Sequence, residues 1–308
     1  MKTFNFLAGI LLLFSMLLSC QVQNKCVTGE GDIVSKNFVL HNFDKITLSI
    51  PGNLYLTQSD KYSIKIDAQP NVLDNIDLKV DKNELIIDYI KCINNLNDNS
   101  LKIIITCPNL KAVENKNSGN VFFKNLWNVD KINLIVKGSG EINVNELIVK
   151  GNMENSLYGS GGIFVKSAKV SGIATNSISG SGDIDIENLS AISITNNLSG
   201  SGDLNVSNIS SCDLMETKCS GSGDITLSST APISSCNFKL AGSGDINAFD
   251  LLANIVSVKI AGSGDIYVNA LKTLNAKIAG SGDVYYKGDP FVIIDKVGSG
   301  DVINKNND

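Results

Sequence analysis

Along the second half of the chain, apolar and polar residues alternate in short bursts that restart at a nearly fixed interval. Each burst opens, after an acidic residue, with apolar-x-apolar: Ile184 and Ile186, Leu204 and Val206, Ile225 and Leu227, Ile266 and Val268. One more apolar residue follows, such as Leu189, Ile209 or Leu271. Apolar residues then fall six, four and two places before a marker glycine: Cys236, Phe238 and Leu240 before Gly242, and Val256, Val258 and Ile260 before Gly262. Alternation with period 2 over four to six residues predicts short strands with one buried face. No apolar spacing of i, i+3, i+4, i+7 is sustained there, so no helix is predicted in this half.

The marker is a Gly-Ser-Gly-acid tetrapeptide whose first glycines are Gly138, Gly159, Gly180, Gly200, Gly221, Gly242, Gly262, Gly280 and Gly298. Successive copies lie 21, 21, 20, 21, 21, 20, 18 and 18 residues apart. A period near 20 is half of what a propeller blade needs, and the helix of a leucine-rich repeat is missing. The prediction is an all-β fold: a parallel β-helix, or solenoid, of 18–21-residue coils, each rising one strand spacing of about 4.8 Å. The Gly-Ser-Gly corners are expected to use positive φ and close backbone approach.

In such a stack equivalent residues form columns. Lys218, Lys239, Lys259 and Lys277 should make one ladder on the outside. Asp183, Asp203, Asp224, Asp245, Asp265, Asp283 and Asp301 should make another on the far side of the corner, each ladder partly offsetting the other's self-repulsion. The aspartates admit two readings. Stacked carboxylates could hold a row of Ca²⁺ ions, which favour several hard oxygen ligands. Alternatively each caps its own turn through nearby amides, as Asx residues do.

Before the repeats, Gly31-Asp32-Ile33, Gly52-Asn53-Leu54 and Ser118-Gly119-Asn120 read as degenerate corners. The solenoid register is therefore expected to begin early, with an insertion between about residues 57 and 117. Longer strands are predicted there over 62–67, 76–80, 85–90 and 101–106, with a hairpin turn at Asp81-Lys82-Asn83 and one helical turn over 70–74. The organisation is then 1–19 signal peptide, 20–36 tether, 37–125 an N-terminal β-region that caps the stack, and 126–308 the solenoid.

The amino terminus bears on location. Lys2 precedes an apolar run, Leu7 to Leu18, too short to cross a bilayer. It ends Leu17-Leu18-Ser19-Cys20, which resembles a bacterial lipobox and implies cleavage before Cys20 and lipidation of its thiol. An ordinary secretory signal with a chance cysteine is the alternative. Gln21 and Val22, with no aspartate, resemble the sorting pattern of outer-membrane lipoproteins. Export permits disulfides. Cys92 and Cys107 end two adjacent strand-like runs and are a candidate pair, whereas Cys219 and Cys236 occupy inward positions as small core residues.

Composition narrows the chemistry. The net charge of −5 and the absence of any arginine argue against a nucleic-acid partner. His41 is the single histidine, so neither a zinc site of paired histidines nor a Ser/His/Asp set is available around it. Trp127, Phe122 and Phe123 form either a carbohydrate platform or a core cluster beneath the cap. Asp185, Glu187, Thr195, Asn205, Asn247 and Asn269 are outward and variable, forming rows of short polar groups with no deviation in the central coils that would mark a built pocket.

The run Phe43-Asp44-Lys45-Ile46-Thr47-Leu48, the segment Gly52-Asn53-Leu54-Tyr55-Leu56-Thr57-Gln58-Ser59-Asp60 and the Gly-Ser-Gly-Asp-Ile series together resemble the "putative auto-transporter adhesin, head GIN domain" family (DUF2807), over roughly residues 38–302. The resemblance implies an exported, often lipid-anchored β-helical protein of a Gram-negative envelope, with binding as its role and no catalytic residues to carry over. Glu141 and Gly162 depart from the aspartate of the corner. The expected function is a non-catalytic, adhesin-like binder or scaffold held by its lipid anchor, whose partner is an envelope glycan, a protein or another rod. The alternative is a polysaccharide lyase or hydrolase on the same fold.

Overall fold

A computed structural model describes residues 26–94 and 100–307; the predicted signal peptide and Cys20 lie outside the described residues. The fold is a parallel β-solenoid, nearly all strand. Two runs of strands stack in register along it. One comprises the strands that follow the corners, from Asn53–Gln58 through Val121–Phe123, Glu141–Val149, Gly162–Val170, Ile184–Ile186, Leu204–Ser211 and Ile225–Ser229 to Val284–Lys287 and Val302–Asn304, each parallel to the next. The other comprises the strands that precede the corners, from Lys45–Leu48 and Ala112–Asn115 to Phe291–Lys296, also parallel throughout.

The apolar alternation builds the core as columns. Leu54, Val121, Ile142, Ile163, Ile184, Leu204, Ile225, Ile246, Ile266 and Val284 occupy one register position, and every one is fully buried. Each such side chain contributes about 1.5–3 kcal/mol by leaving water. Cys219 and Cys236 sit in this core as expected, below Leu198 and Met215, with burial raising both thiol pKa values.

The corners need glycine for a different reason than positive φ. Among the described glycines only Gly31 and Gly288 have positive φ. A Cβ on Gly182 would instead lie 1.7 Å from the carbonyl oxygen of Gly161, and one on Gly244 2.0 Å from that of Gly223. Close stacking of one corner's backbone on the next excludes any side chain there.

Gly52 and Gly119 stack in the same way, a Cβ on Gly119 falling 2.2 Å from the Gly52 oxygen, so the register does begin early, but at Gly52; Gly31 has positive φ, stacks on no corner and leads into an antiparallel strand. The insertion supplies a further coil on the outer side: Glu84–Tyr89 and Lys102–Cys107 pair in parallel with Lys45–Leu48 and Asn53–Gln58. Beyond it the direction reverses. Ser63–Ala68 lies antiparallel to Lys102–Cys107, Val34–Phe38 lies antiparallel to Ser63–Ala68, and Ile76–Asp81 lies antiparallel to Glu84–Tyr89. The hairpin turn is where it was expected, with Lys82 and Asn83 at φ 48° and 64°, the pair of left-handed residues that a two-residue turn requires. The single helical turn Pro70–Leu73 places Val72 and Leu73 over the core.

The cysteine pairing differs from expectation. Cys92 is bonded to Cys26, beside a short parallel bridge of Val27–Thr28 to Ile93–Asn94. Cys107 faces the core on the inward side of its strand, which keeps it from Cys92; it is a buried free thiol, its pKa pushed up to about 12 by burial. The disulfide ties Cys26 to the end of the insertion's strands.

The lysine column is present, with Lys218, Lys239, Lys259 and Lys277 in successive register and Asp295 next in line, 3.2 Å from Lys277 Nζ. Among the described residues no ion pair joins Lys218, Lys239 or Lys259 to the aspartates, so the two ladders do not neutralise each other by contact.

Candidate binding groove

The aspartate ladder is a chain of backbone caps between coils. The amide of Asp203 donates to Asp183 Oδ1 (2.8 Å), that of Asp224 to Asp203 Oδ1 (2.8 Å) and that of Asp245 to Asp224 Oδ1 (2.7 Å). Asp265, Asp283 and Asp301 continue the series at 2.7 Å each. The carboxylate therefore serves the amide of the next coil, where capping within its own turn had been expected. Side chains of other types extend the series at the front: the Asn120 amide donates to Asn53 Oδ1 and the Glu141 amide to Asn120 Oδ1. Hydrogen bonds to a charged acceptor contribute about 1.5–3 kcal/mol each. Among the described residues no three or more His, Cys, Asp or Glu side chains converge as a metal site would require.

Gly162 is the break in this series, and Phe164 fills it. A Cβ on Gly162 would lie 2.5 Å from Phe164 Cε2 and 2.7 Å from Cζ, so the ring lies across the glycine in the space where other coils carry the capping side chain. Two outward columns meet beside this ring. One is Asn143, Phe164, Asp185 and Asn205; the other is Asn145, Lys166, Glu187 and Ser207. They border a groove of about 460 Å³ along the rod, floored by the strand backbone at Val144, Val165 and Ile186, whose side chains face the core. Its polar groups are held in place: Asn205 Nδ2 donates to Asp185 Oδ1 (2.7 Å), Asn143 Nδ2 to Glu141 Oε2 (3.2 Å), and Asn208 Nδ2 to the Glu187 carbonyl (3.1 Å). The central coils thus do contain a built deviation, contrary to the sequence expectation. Gly162 announced it as the one corner without an acceptor side chain.

The other expected outward residues separate. Asp185, Asn205 and Asn247 share a column with Thr226 between them, but that column continues into Tyr267 and Tyr285, stacked at 4.9 Å, and then Ile303. Thr195 belongs to the other run of strands, between Thr175 and Glu216, and Asn269 bonds the Phe249 carbonyl. Phe249 meets Tyr267 edge-on, and the Tyr285 hydroxyl donates to Asp283 Oδ2; that bond raises its pKa to about 12. These rings pack on one another across strands, with Lys287 over the Phe249 ring and Lys305 over the Tyr285 ring. Phe123 and Trp127 are buried against each other as a core pair, whereas Phe122 is outside, stacked on Tyr55 with Lys124 over both rings.

A second polar ladder lies inside the core and escaped the sequence reading. Asn155 Nδ2 donates to Asn176 Oδ1 (2.8 Å), Asn176 Nδ2 to Asn196 Oδ1 (2.9 Å) and Asn196 Nδ2 to Thr217 Oγ1 (3.3 Å), all four fully buried. The signal was present: these residues occupy the fourth place before Gly159, Gly180, Gly200 and Gly221, where the repeats at Gly242 and Gly262 carry Phe238 and Val258.

A second, more polar cleft near the N-terminal end holds Asp44, Thr47, Glu84, Lys111 and Glu114. Its carboxylates already have partners: Lys111 pairs with Asp44, which raises the lysine's pKa, Thr47 Oγ1 donates to Glu84 Oε1, and Lys137 pairs with Glu114. The groove at Phe164 is the better candidate.

Comparison with known proteins agrees with this architecture. Two solved structures share the fold: a "putative adhesin" from Parabacteroides merdae, 19% identical with 91% of this chain and 99% of that one covered (TM-score 0.50), and a "putative adhesin" from Parabacteroides distasonis, 20% identical with 91% and 100% covered (TM-score 0.50). No curated protein matches the sequence. The family described as "Putative auto-transporter adhesin, head GIN domain" matches residues 42–213 and 207–290, which span both the early coils and the Gly-Ser-Gly-Asp repeats. With the match covering most of its length, the chain belongs to that family.

Proposed function

We infer that the protein is a non-catalytic, adhesin-like binder of the cell envelope, lipid-anchored through Cys20 in the outer membrane, with the groove at Phe164 as its binding surface for a glycan strand. The observation that carries this is the coupled departure of Gly162 and Phe164 from an otherwise uniform repeat, at the place where carboxylates and amides flank an outward aromatic ring. An aromatic ring flanked by fixed hydrogen-bonding groups is suited to a sugar, whose faces are apolar and whose rim is hydroxyl-rich. The adhesin description of the family supports the same reading.

The enzyme alternative draws on one feature. Asp185 and Glu187 point outward two residues apart in this groove, near Lys166, and paired carboxylates are the tools of glycoside cleavage. Titrating the protein with envelope polysaccharides while following both binding and chain length separates the two. Binding without scission, weakened roughly tenfold by Phe164→Ala at unchanged melting temperature, supports the binder. Chain scission abolished by Asp185→Asn or by Glu187→Gln would replace it with the enzyme. Palmitate labelling tests the anchor: incorporation that persists after Cys20→Ser rules it out.

A further inference from the structure

Five aromatic side chains share the outward column that runs through Phe164: Tyr55, Phe122, Phe164, Tyr267 and Tyr285. Four of them have partners within the chain. Tyr55 stacks on Phe122 at 5.1 Å, and Tyr267 on Tyr285 at 4.9 Å. Lysines complete both pairs. Lys124 Nζ lies 4.6 Å from the Tyr55 ring centre and 5.0 Å from that of Phe122, and Lys305 Nζ lies 5.7 Å from that of Tyr285. The face of an aromatic ring carries partial negative charge and attracts a cation at such distances. Among the described residues, Phe164 has neither a second ring nor a lysine against it.

The register gives the reason. Lys124 reaches Tyr55 from the next coil, where it follows the partner of that tyrosine, Phe122, by two residues. Lys305 stands in the same relation to Tyr285, two residues beyond its partner Ile303. The partner of Phe164 is Asp185, and two residues beyond that is Glu187. A carboxylate therefore occupies the position from which lysine covers Tyr55 and Tyr285. Lys166 stands in that relation to Asn143, one coil too early.

The surroundings of the ring carry the same sign. Asp185 adjoins it in its own column, and Gly162, across which the ring lies, stands between Glu141 and Asp183 in the corner column. Asp183 Oδ1 accepts the Asp203 amide, Asp185 Oδ1 accepts from Asn205 and Glu141 Oε2 from Asn143. These bonds fix the three carboxylates and leave one oxygen of each without a partner among the described residues, as are both side-chain oxygens of Glu187.

We propose that the groove takes a cationic sugar: a glycan unit whose free ammonium group lies against the Phe164 ring, where other rings of the column carry a lysine, with Glu187 and Asp185 as its counter-ions. The proposal rests on the reading of this groove as a glycan site and adds the charge of its ligand.

Charge and shape each exclude an alternative. An acidic sugar would meet Asp185 and Glu187 as like charges, with Lys166 the single cation lining the groove. A lysine side chain from a protein partner would supply the ammonium. Its methylene stem, however, would leave the amides of Asn143, Asn145 and Asn205 without the hydrogen bonds that a hydroxyl-bearing ring provides.

Titration calorimetry of the full chain with three oligosaccharides of equal length tests this: an oligomer of glucosamine, the same oligomer N-acetylated, and an oligouronate. The free amine should bind about tenfold tighter than the acetylated form, and the oligouronate weakest. High salt should shrink the amine's advantage, because the carboxylates face solvent. Glu187→Lys puts a cation of the chain over the ring, as at Tyr55 and Tyr285. It should remove the amine's advantage at unchanged melting temperature, since Glu187 is exposed. An acetylated oligomer or oligouronate that binds as tightly as the amine, or an advantage that survives Glu187→Lys, overturns the proposal and leaves the glycan reading standing. A lysine-rich peptide that displaces the amine oligomer at equal affinity overturns the assignment to a sugar. If none of the three oligosaccharides binds, the glycan reading falls and this proposal falls with it.

Discussion

Replacing Gly244 with alanine should destabilise the middle of the rod by about 3 kcal/mol, and the magnitude follows from the stacking distance. An ideal Cβ at Gly244 stands 2.0 Å from the Gly223 carbonyl oxygen and 2.8 Å from its carbon, both of them backbone atoms that cannot rotate away. Real Cβ atoms essentially never approach within 3.0 Å, so the two coils must separate locally by about 1 Å. That opening stretches the bonds that close the corner: Ser243 N–H to Gly221 O (3.1 Å), Gly244 N–H to the same oxygen (3.4 Å) and Asp245 N–H to Asp224 Oδ1 (2.7 Å). Overpacking costs about 1–3 kcal/mol, and each weakened hydrogen bond adds up to about 1 kcal/mol. Urea titration measures the total, and amide exchange should place the loss in the adjoining coils, since solenoid repeats contact only their neighbours. Ser243→Ala, exposed at the same corner, should cost under about 0.5 kcal/mol. Gly244→Asn discriminates the cause. Asparagine tolerates positive φ, so it would be milder than alanine if backbone conformation were the reason for glycine, and as harmful or worse if stacking is. Gly244→Ala within about 0.5 kcal/mol of wild type would refute the stacking argument.

Breaking the 66-residue loop with Cys92→Ser should cost about 4 kcal/mol on the chain-entropy estimate, and thiol labelling of the native variant should report Cys26 while Cys107 stays unreactive. Asn176→Ala leaves the Asn155 amide and the Asn196 carbonyl without partners inside the core, so a loss of about 2–4 kcal/mol in chemical denaturation is expected, larger than for the outward Thr175→Ala. Because one oxygen of each ladder aspartate from Asp183 to Asp283 already accepts an amide, and Asp301 pairs with Lys296, millimolar Ca²⁺ or a chelator should leave the melting temperature within about 1 °C; a clear rise with Ca²⁺ would make the ladder a cation site.

What the chain determines by itself is its periodic part. Short-range alternation dictates strands, the 18–21-residue recurrence dictates a stack, and the stack puts Asp183 through Asp301 and Lys218 through Lys277 into columns without any knowledge of coordinates. Even the insertion's hairpin at Lys82-Asn83 and its helical turn at Pro70 were legible, because both are local. What only the tertiary structure decided depends on atoms brought together from different coils. The capping partner of each aspartate is an amide about 20 residues away, and the reason for each glycine is a carbonyl in the coil below. The partner of Cys92 was hidden because Cys107 is nearer in sequence but turned into the core, while Cys26, 66 residues away, is brought beside Cys92 by the bridge of Val27–Thr28 to Ile93–Asn94. The groove at Phe164 was hidden because a glycine where an acid belongs looks like an absence until the ring that lies over it is seen. A repeat specifies its own continuation through nearest-neighbour rules; its exceptions and its ends answer to contacts that no local rule contains.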